Sequence, residues 1–504
     1  MSRQPRRLAV HFVLALLFVS SFAAPALTDS SVPYGASLTG PSQYDNDLIM
    51  QRGEMQASLE STNAVEDVEG GPTPDSDVAS LHREGSRTTD GVQAIRADEL
   101  HERGITGEGV SVGVIGSSFD TDNAAIAEQV AGHHASHDQQ RTETAHDTAV
   151  AEVVTRTTPD ADLYLASVGT TPTPESYADA VEWLLANDVD VIVDSGSYFA
   201  PMSGDMDQIT AVADHASEEG VVFVTSAGNY ANRHWAGVAD GDQWVEFAPD
   251  TEANALEGGN ATEGRVSLKL YWNTSADYDL YLYRKTTGRD PVVAKSTVRQ
   301  TSENASPAET IDVVVPRGVY YVSIYAHEDT ANRSETNSTN GTSTNSTSST
   351  NSTNETNRTG STSETGLQLF SPHQTLTHTT AAGSMVAPAT SERVITVGAI
   401  DAKSGLIREY SSLGYAGARA DVGAPDGVST TAAGTFYGTS AAAPYVAGSA
   451  ALIKSRQGEL SPAQVEQLLQ ETSHYTGSGR YIDAYAAVEA ASGANVTARV
   501  EQEP

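Results

Sequence analysis

One serine in the last third of the chain stands in a setting suited to a nucleophile. Ser440 lies in the string GTSAAAP at 438–444, and VAG follows at 446–448. Small residues after a serine suit a tightly packed helix start, whose unbonded N–H groups favour developing negative charge. A nucleophilic hydroxyl belongs at such a place when an oxyanion must be stabilised beside it. The competing interpretation is a helix that merely begins with small residues.

Three further stretches precede that string. An apolar, β-branched strand occupies 110–115, the string HDTAVA begins at His146 with a helical apolar pattern behind it, and the strand VVFVTS leads into Asn229. Together with the serine string, these stretches resemble the motifs of the subtilisin-like serine proteases, the subtilases, in the family's order. The resemblance implies that Ser440 is the nucleophile, His146 the general base and Asn229 the side-chain donor to the oxyanion. It covers roughly residues 98–235 and 385–490.

The acid is the motif that does not fit the family pattern. Subtilases carry the catalytic aspartate directly after the first strand, but here Gly116 takes that place and Asp120 follows four residues later. Asp120 is the nearest replacement. An extended chain covers ~3.3 Å per residue, so Asp120 reaches the histidine only if the turn folds back. A turn or N-cap pair with Asp122 is the competing interpretation.

Two other carboxylates lie near the motifs. Asp147 stands where the family usually has glycine, and we expect it to be a poor substitute acid because neighbouring side chains on a helix diverge. Its negative charge suits the helix N-terminus instead. Asp194, at the end of the strand VDVIVD, is a second and more distant candidate. The resemblance also implies that Ser195, Gly196 and Ser197 pair with a bound peptide as an added strand.

The order of elements predicts an α/β fold with an insertion. From about 96 to 240, and again over 381–492, strands alternate with helices, which indicates a doubly wound, mainly parallel sheet. Between 241 and 380 the apolar residues alternate with period two, which predicts an inserted small β-sandwich. Within it, residues 330–365 are almost entirely Ser, Thr, Asn and Gly with tandem glycosylation sequons, and predict a disordered, exposed loop. Residues 493–504 form an acidic tail.

The first residues have the features of an export signal. Three arginines precede an apolar stretch from Leu8 to Ala24, and a small-x-small cleavage site follows at 24–26. We therefore expect a signal peptide over 1–26, a disordered lead or short prosegment over 27–95, and a secreted protein. The pair Arg6-Arg7 leaves both the general and the twin-arginine export routes open.

The composition of the chain excludes some classes of binding partner and cofactor. The formal charge is −37 with 29 Lys and Arg against 66 Asp and Glu, a balance typical of proteins adapted to high salt and unsuited to nucleic-acid binding. The chain has no cysteine, which rules out disulfides and thiol catalysis. No clustered ligands indicate a metal or other cofactor. Calcium is common in the resembled family, but no loop identifies a site. We expect a monomer without a transmembrane span, acting on polypeptides.

The motifs and the composition are consistent with two alternative functions. The first is an exported halophilic serine endopeptidase that works through a Ser/His acyl-enzyme mechanism, with its acid displaced or lost. The second is a catalytically inactive, subtilase-like secreted binding or surface protein, which the replacements at Gly116, Ser117 and Asp147 favour. The intact serine string, together with His146 and Asn229, favours the first.

Overall fold

The computed structural model describes residues 90–135, 145–199, 205–239, 243–273, 276–299, 307–327, 366–476 and 479–493. The predicted signal peptide, almost all of the lead, the sequon-rich loop and the tail beyond residue 493 lie outside these ranges.

Helices and strands alternate through the first and last parts of the described chain, and the middle consists of strands with one short 3-10 turn at Glu257–Gly259. The helices are α1 (Gly91–Ala94), α2 (Ala97–His101), α3 (Ala145–Thr157), α4 (Pro174–Ala186), α5 (Asp205–Glu218), α6 (Thr439–Arg456), α7 (Pro462–Thr472) and α8 (Ala484–Gly493). The strands are β1 (Ser111–Gly116), β2 (Val130–Ala135), β3 (Asp162–Ser167), β4 (Val191–Asp194), β5 (Val222–Ser226), β6 (His234–Val238), β7 (Gln243–Trp244), β8 (Asn254–Ala255), β9 (Thr262–Tyr271), β10 (Tyr278–Arg284), β11 (Val292–Ser296), β12 (Ala308–Gly318), β13 (Tyr320–Ala326), β14 (Gly366–Phe370), β15 (Ile395–Ile400), β16 (Val422–Pro425), β17 (Val428–Thr430), β18 (Gly434–Phe436), β19 (His474–Tyr475) and β20 (Arg480–Tyr481).

A nine-stranded sheet carries the candidate chemistry. Its order is β19-β20-β16-β15-β5-β4-β1-β3-β2, and every neighbouring pair is parallel except the edge pair of β19 and β20. The predicted mainly parallel α/β fold is confirmed. Strands β5, β4 and β1 are consecutive in this order, so the loops at their carboxyl ends lie side by side.

Alternate residues of the central strands enter two separate cores. Val191 and Val193 of β4 pack with α3, α6 and α8, whereas Ile192 between them packs with α4 and α5 on the opposite face. This follows from the two-residue period of a strand, and it explains why the sequence reads as an unbroken apolar run. Burial of both faces holds the sheet between two helical layers.

Helix α6 is buried from Thr439 to Lys454 and forms the middle of the larger core. Its alanines leave little bulk, so neighbouring elements approach closely. A Cβ added at Gly448 would lie 2.5 Å from the Cβ of Thr157 in α3, closer than two carbon atoms can pack. The small residues that follow Ser440 therefore allow α3 to pack tightly on α6.

The insertion consists of two antiparallel sheets that share one core. One has the order β12-β9-β14-β6, and the other has the order β11-β10-β13-β7 with β8 also paired to β13. Leu268 of the first sheet and Leu280 and Ile324 of the second belong to the same apolar cluster. The sheets begin at His234, earlier than the predicted start at residue 241, because β6 pairs with the distant β14. Tyr271 and Phe370 pack against the α/β core.

Candidate active site

The candidate site lies where β1, β4 and β5 end. The loops after these strands contact the first turns of α3 and α6 through the hydrogen bonds described below. In parallel sheets, groups at adjacent carboxyl ends converge, and helix N-termini there add N–H donors. His146 comes from α3, Ser440 from α6 and Asn229 from the loop after β5.

Ser440 is the second residue of α6, so its own N–H has no carbonyl partner within the helix. Gly438, just before the helix, has a φ of 108°, a conformation that residues with a Cβ rarely adopt. The Ser440 side chain is nearly buried, with 7% of the residue exposed. Its hydroxyl donates to the carbonyl oxygen of Ser195 at 3.0 Å. The Ser440 hydroxyl is thus held at the end of β4 in this structure.

A proline strengthens the contact between α6 and β4. Pro444 has no N–H, so it cannot donate to the carbonyl of Ser440, four residues earlier. Ser195 Oγ donates to that carbonyl instead, at 3.1 Å. Ser195 and Ser440 therefore exchange two hydrogen bonds, which fix the start of α6 against the sheet.

Asn229 is oriented by the residue before the serine. Its Oδ1 accepts from the N–H of Thr439 at 2.9 Å and from the Thr439 hydroxyl at 3.2 Å. These contacts turn Nδ2 away from Thr439, and Nδ2 donates to no protein acceptor among the described residues. The amide nitrogen of Asn229 and the N–H of Ser440 are then two donors at the start of α6, and an oxyanion hole needs two such donors.

His146 makes its carboxylate contact with the next residue of the chain. Its Nδ1 lies 2.7 Å from Oδ1 of Asp147, and its ring meets the ring of Phe436 edge-on at 5.4 Å between centroids. The expectation that these neighbouring side chains diverge is wrong. Both residues lie in the first turn of α3, where the Asp147 side chain folds back toward the loop after β1.

Asp147 fills the space next to Gly116. Its Oδ2 accepts from the backbone N–H groups of Ser117 at 2.6 Å and Ser118 at 3.2 Å. A Cβ added at Gly116 would lie 2.6 Å from Cγ of Asp147. Asp147 can therefore occupy this place only because residue 116 has no side chain.

Asp120 lies in a turn. Its Oδ1 accepts from the N–H of Asp122 at 3.3 Å, and its own N–H donates to Thr148 Oγ1 at 3.0 Å. The sequence-based choice of Asp120 as the acid needs correction, because the loop does not fold its carboxylate onto the histidine. The competing turn interpretation describes its geometry.

Asp194 is fully buried in a separate hydrogen-bond group. It accepts from Tyr177 Oη at 2.8 Å, from Tyr198 Oη at 3.4 Å and from the N–H of Gly196 at 2.7 Å. Burial raises the pKa of Asp194 to about 6, against the opposing effect of these donors. Its contacts support the end of β4, and none of them reaches His146.

The similarity to known proteins agrees with this geometry. The model of the Subtilase family, peptidase S8, matches residues 107–366 and 347–495, which is well over half of the chain. The chain belongs to the subtilase family. It is 39% identical over 100 residues to subtilisin of Bacillus pumilus and 38% identical over 100 residues to subtilisin E of Bacillus subtilis. Each match covers 19% of this chain, and they cover 34% and 25% of those relatives.

A solved structure shows the same fold. The CspB protease of Clostridium perfringens superposes with a TM-score of 0.52 at 14% identity, covering 80% of this subtilase and all of that chain. At this identity the likeness concerns the fold alone. Family membership identifies this chain as a homologue of serine peptidases.

The predicted peptide-binding segment lies beside the serine, but part of it is already bonded. The N–H of Gly196 donates to Asp194, and Tyr198 forms an antiparallel bridge with Ala387. The roles of Ser195, Gly196 and Ser197 toward a peptide remain predictions for this subtilase.

No group of three or more potential metal ligands comes together in the described ranges, and none of the helices described is long and apolar enough to cross a bilayer.

Sequence reasoning missed the carboxylate that contacts His146, although a signal was present. This subtilase has glycine where its family has the acid, and an acid where its family has glycine. A glycine in place of an aspartate at one position and an aspartate in place of a glycine at another indicate that the carboxylate has moved. Two unrelated losses would explain this pattern less well. The decisive observation is the space beside Gly116, which only the structure shows.

Proposed function

We propose that this subtilase is an exported serine endopeptidase that cleaves polypeptides in concentrated salt. The observation that carries the proposal is that the elements bearing Ser440, His146 and Asn229 meet where the adjacent strands β1, β4 and β5 end. Ser440 bonds the end of β4, Asp147 next to His146 bonds the loop after β1, and Asn229 after β5 bonds Thr439. An acyl-transfer site needs these three types of group in one place. Family membership supplies the substrate class, because subtilases act on polypeptides.

Acylation begins when Ser440 Oγ leaves the Ser195 carbonyl and attacks the carbonyl carbon of the scissile peptide bond. His146 accepts the hydroxyl proton at Nε2 as the C–O bond forms. The carbonyl oxygen becomes an oxyanion, which accepts hydrogen bonds from Asn229 Nδ2 and the N–H of Ser440. Loss of one such donor typically costs about 10²–10³ in kcat.

The intermediate then collapses. The C–N bond breaks, and His146 returns the proton to the leaving amine, so an acyl ester on Ser440 remains. Water attacks this ester, gives a proton to His146 and releases the carboxylic acid product as the Ser440 hydroxyl is restored. The cycle consumes one water for each peptide bond and needs no further reactant.

Two features of the sequence support export and salt adaptation. The charged start, the apolar stretch and the small-x-small site within residues 1–26 are typical of a cleaved signal peptide. The formal charge of −37 is typical of proteins that fold in concentrated salt, where self-repulsion is screened. The test assay must therefore contain salt.

The proposal is tested by hydrolysis of casein and of fluorogenic peptides in multimolar NaCl. We expect the wild type to cleave both, and Ser440→Ala to lose cleavage and labelling by a fluorophosphonate. Ser449→Ala is the matched control, because Ser449 lies in the same helix and donates only to the carbonyl of Tyr445. This control is expected to retain most of the wild-type rate.

An inactive wild type with a cooperative unfolding transition would contradict the proposal and favour the secreted binding protein instead. That alternative drew its support from the apparent loss of the acid. The carboxylate beside His146 Nδ1 removes much of that support.

A further inference from the structure

We propose that Asp147 is the positioning acid of this site: it holds His146 as the Nδ1–H tautomer, in place of the aspartate that subtilases carry where Gly116 stands here. The proposal rests on the proposed function, since it assigns a role within the same reaction. Asp147 acts through His146 and does not touch the reacting atoms.

The first support is the contact itself. Oδ1 of Asp147 lies 2.7 Å from Nδ1 of His146, a distance typical of a hydrogen bond to a charged acceptor. A carboxylate only accepts, so Nδ1 carries the hydrogen and Nε2 is the basic nitrogen. Nε2 is the atom that must take the proton of Ser440. A positive charge formed on the ring during attack is then stabilised by the adjacent carboxylate.

The second support is the way in which Asp147 is held. Only 7% of the residue is exposed, and the N–H groups of Ser117 and Ser118 both donate to Oδ2. With Oδ2 fixed by two backbone donors, Oδ1 is directed at the imidazole. Two donors on one loop prevent rotation of the carboxylate. An acid that orients a histidine needs such fixation.

The third support is the fit with Gly116. The Cβ position of residue 116 is 2.6 Å from Cγ and 2.7 Å from Cβ of Asp147, so one site cannot hold both side chains. The aspartate of the family pattern would leave β1 at that position. The Asp147 carboxylate thus reaches the same space from the helix instead of from the strand.

This geometry predicts what an amide would do at position 147. In Asp147→Asn, the N–H groups of Ser117 and Ser118 require an oxygen at the place of Oδ2, so the –NH₂ group must face His146. Nδ1 then becomes the acceptor, and the hydrogen moves to Nε2. That tautomer cannot accept the Ser440 proton, and an aspartate-to-asparagine change of this kind lowers kcat by about 10⁴ in a serine protease.

The experiment compares Asp147→Asn with wild type in the peptide assay. We expect kcat to fall by about 10³–10⁴-fold with KM changed less than about threefold, because substrate contacts remain. Asp120→Asn tests the competing assignment and is expected to stay within about twofold of wild type. Thermal unfolding of each variant separates loss of fold from loss of orientation.

Moving the carboxylate from position 147 to position 116 tests whether activity can be restored. Asp147→Gly alone is expected to lose activity, and Gly116→Asp alone places two carboxylates in one space and destabilises the protein. The double variant Gly116→Asp/Asp147→Gly restores the family arrangement and is expected to exceed the kcat of Asp147→Gly by at least about tenfold. A purely structural Asp147 would give no such recovery.

The histidine tautomer provides a readout that does not need hydrolysis. In ¹⁵N-histidine NMR spectra, the wild type should show a downfield Nδ1–H signal that is absent in His146→Ala and in Asp147→Asn. A wild type that shows this signal but cleaves no substrate would refute the proposed function and leave the contact between Asp147 and His146 standing. Wild-type kcat in a folded Asp147→Asn, or an unchanged signal there, would overturn the role of Asp147.

Discussion

At positions 116 and 147 this subtilase carries each residue type where its family carries the other. The motifs around Ser440, His146 and Asn229 were recognisable from sequence because each is a contiguous string with one chemical group. The carboxylate that contacts His146 was not, because its identity depends on which side chain fills a space between a strand end and a helix start. The spacing of residues along the chain does not reveal the space beside Gly116. The rule that neighbouring helix side chains diverge applies to side chains that point outward, and the Asp147 side chain folds back toward the loop after β1.

A second buried carboxylate gives a prediction for pH. The pKa of Asp194 is raised to about 6 by burial, whereas an unfolded aspartate titrates near 3.9. The native state therefore keeps this proton after the unfolded state has lost it. The stability contributed by the group is present below about pH 4 and is lost as pH rises to about 6, by roughly 2–3 kcal/mol in total.

The measurement is urea unfolding of wild type and Asp194→Asn at several values between pH 4 and pH 7 in constant salt. Asparagine does not titrate, so the difference in unfolding free energy between the two proteins should change in favour of the variant across this interval. Parallel curves would show that Asp194 does not titrate there. Because both proteins contain the same other carboxylates, the contributions of those groups to the pH dependence cancel in the difference.

At the level of elements, the strands that bear the motifs were predicted because burial on both faces gives an unbroken apolar run. The run at 110–115 corresponds to β1, and the run at 221–224 corresponds to β5. The start of the inserted sheets was placed late because β6 gains its partner, β14, more than a hundred residues away. Short strands paired over such distances have little local pattern.

The hairpin of β17 and β18 depends on one buried carboxylate from α3. Glu152 accepts from the N–H of Thr431 at 2.8 Å, from its hydroxyl at 2.8 Å and from the N–H of Ala432 at 3.2 Å, and it also pairs with Arg156. Phe436 at the end of this hairpin contacts His146. The carboxylate thus links the turn to the helix that carries His146.

We expect Glu152→Ala to lower the free energy of unfolding by about 1.5–3 kcal/mol, because the turn at Thr431 and Ala432 loses its charged acceptor. Its kcat should fall as the hairpin loosens beside His146. Urea unfolding and peptide hydrolysis measure the two effects. Glu182→Ala is the matched control, since the Glu182 side chain is 66% exposed and a change there costs within about 0.5 kcal/mol. Equal stability of the two variants would contradict the role of Glu152.

At the scale of the whole molecule, excess negative charge opposes compaction. The chain carries 66 acidic against 29 basic residues. Ions screen this repulsion, and the screening length falls from about 10 Å at 0.1 M salt to about 3 Å at 1 M.

We expect the midpoint of thermal unfolding to rise steeply with NaCl up to about 1 M and activity to follow it. Calorimetry measures the unfolding midpoint and peptide hydrolysis measures the activity, each over roughly 0.05–4 M NaCl, because the screening length shortens over this range. Sucrose at matched osmolality is the control, since it stabilises compact states without screening charge. A midpoint that rises equally in sucrose would argue against charge repulsion as the cause.

The adjacency of His146 and Asp147 has a consequence for recognising such enzymes. A scan that requires an aspartate directly after the first strand would place this chain among degenerate members of its family and predict no turnover. A three-dimensional query for any carboxylate oxygen within hydrogen-bond distance of the histidine Nδ1 would retrieve this chain through Asp147. Genome surveys that count inactive homologues by motif alone would therefore count this chain without testing the carboxylate that its structure places beside the histidine.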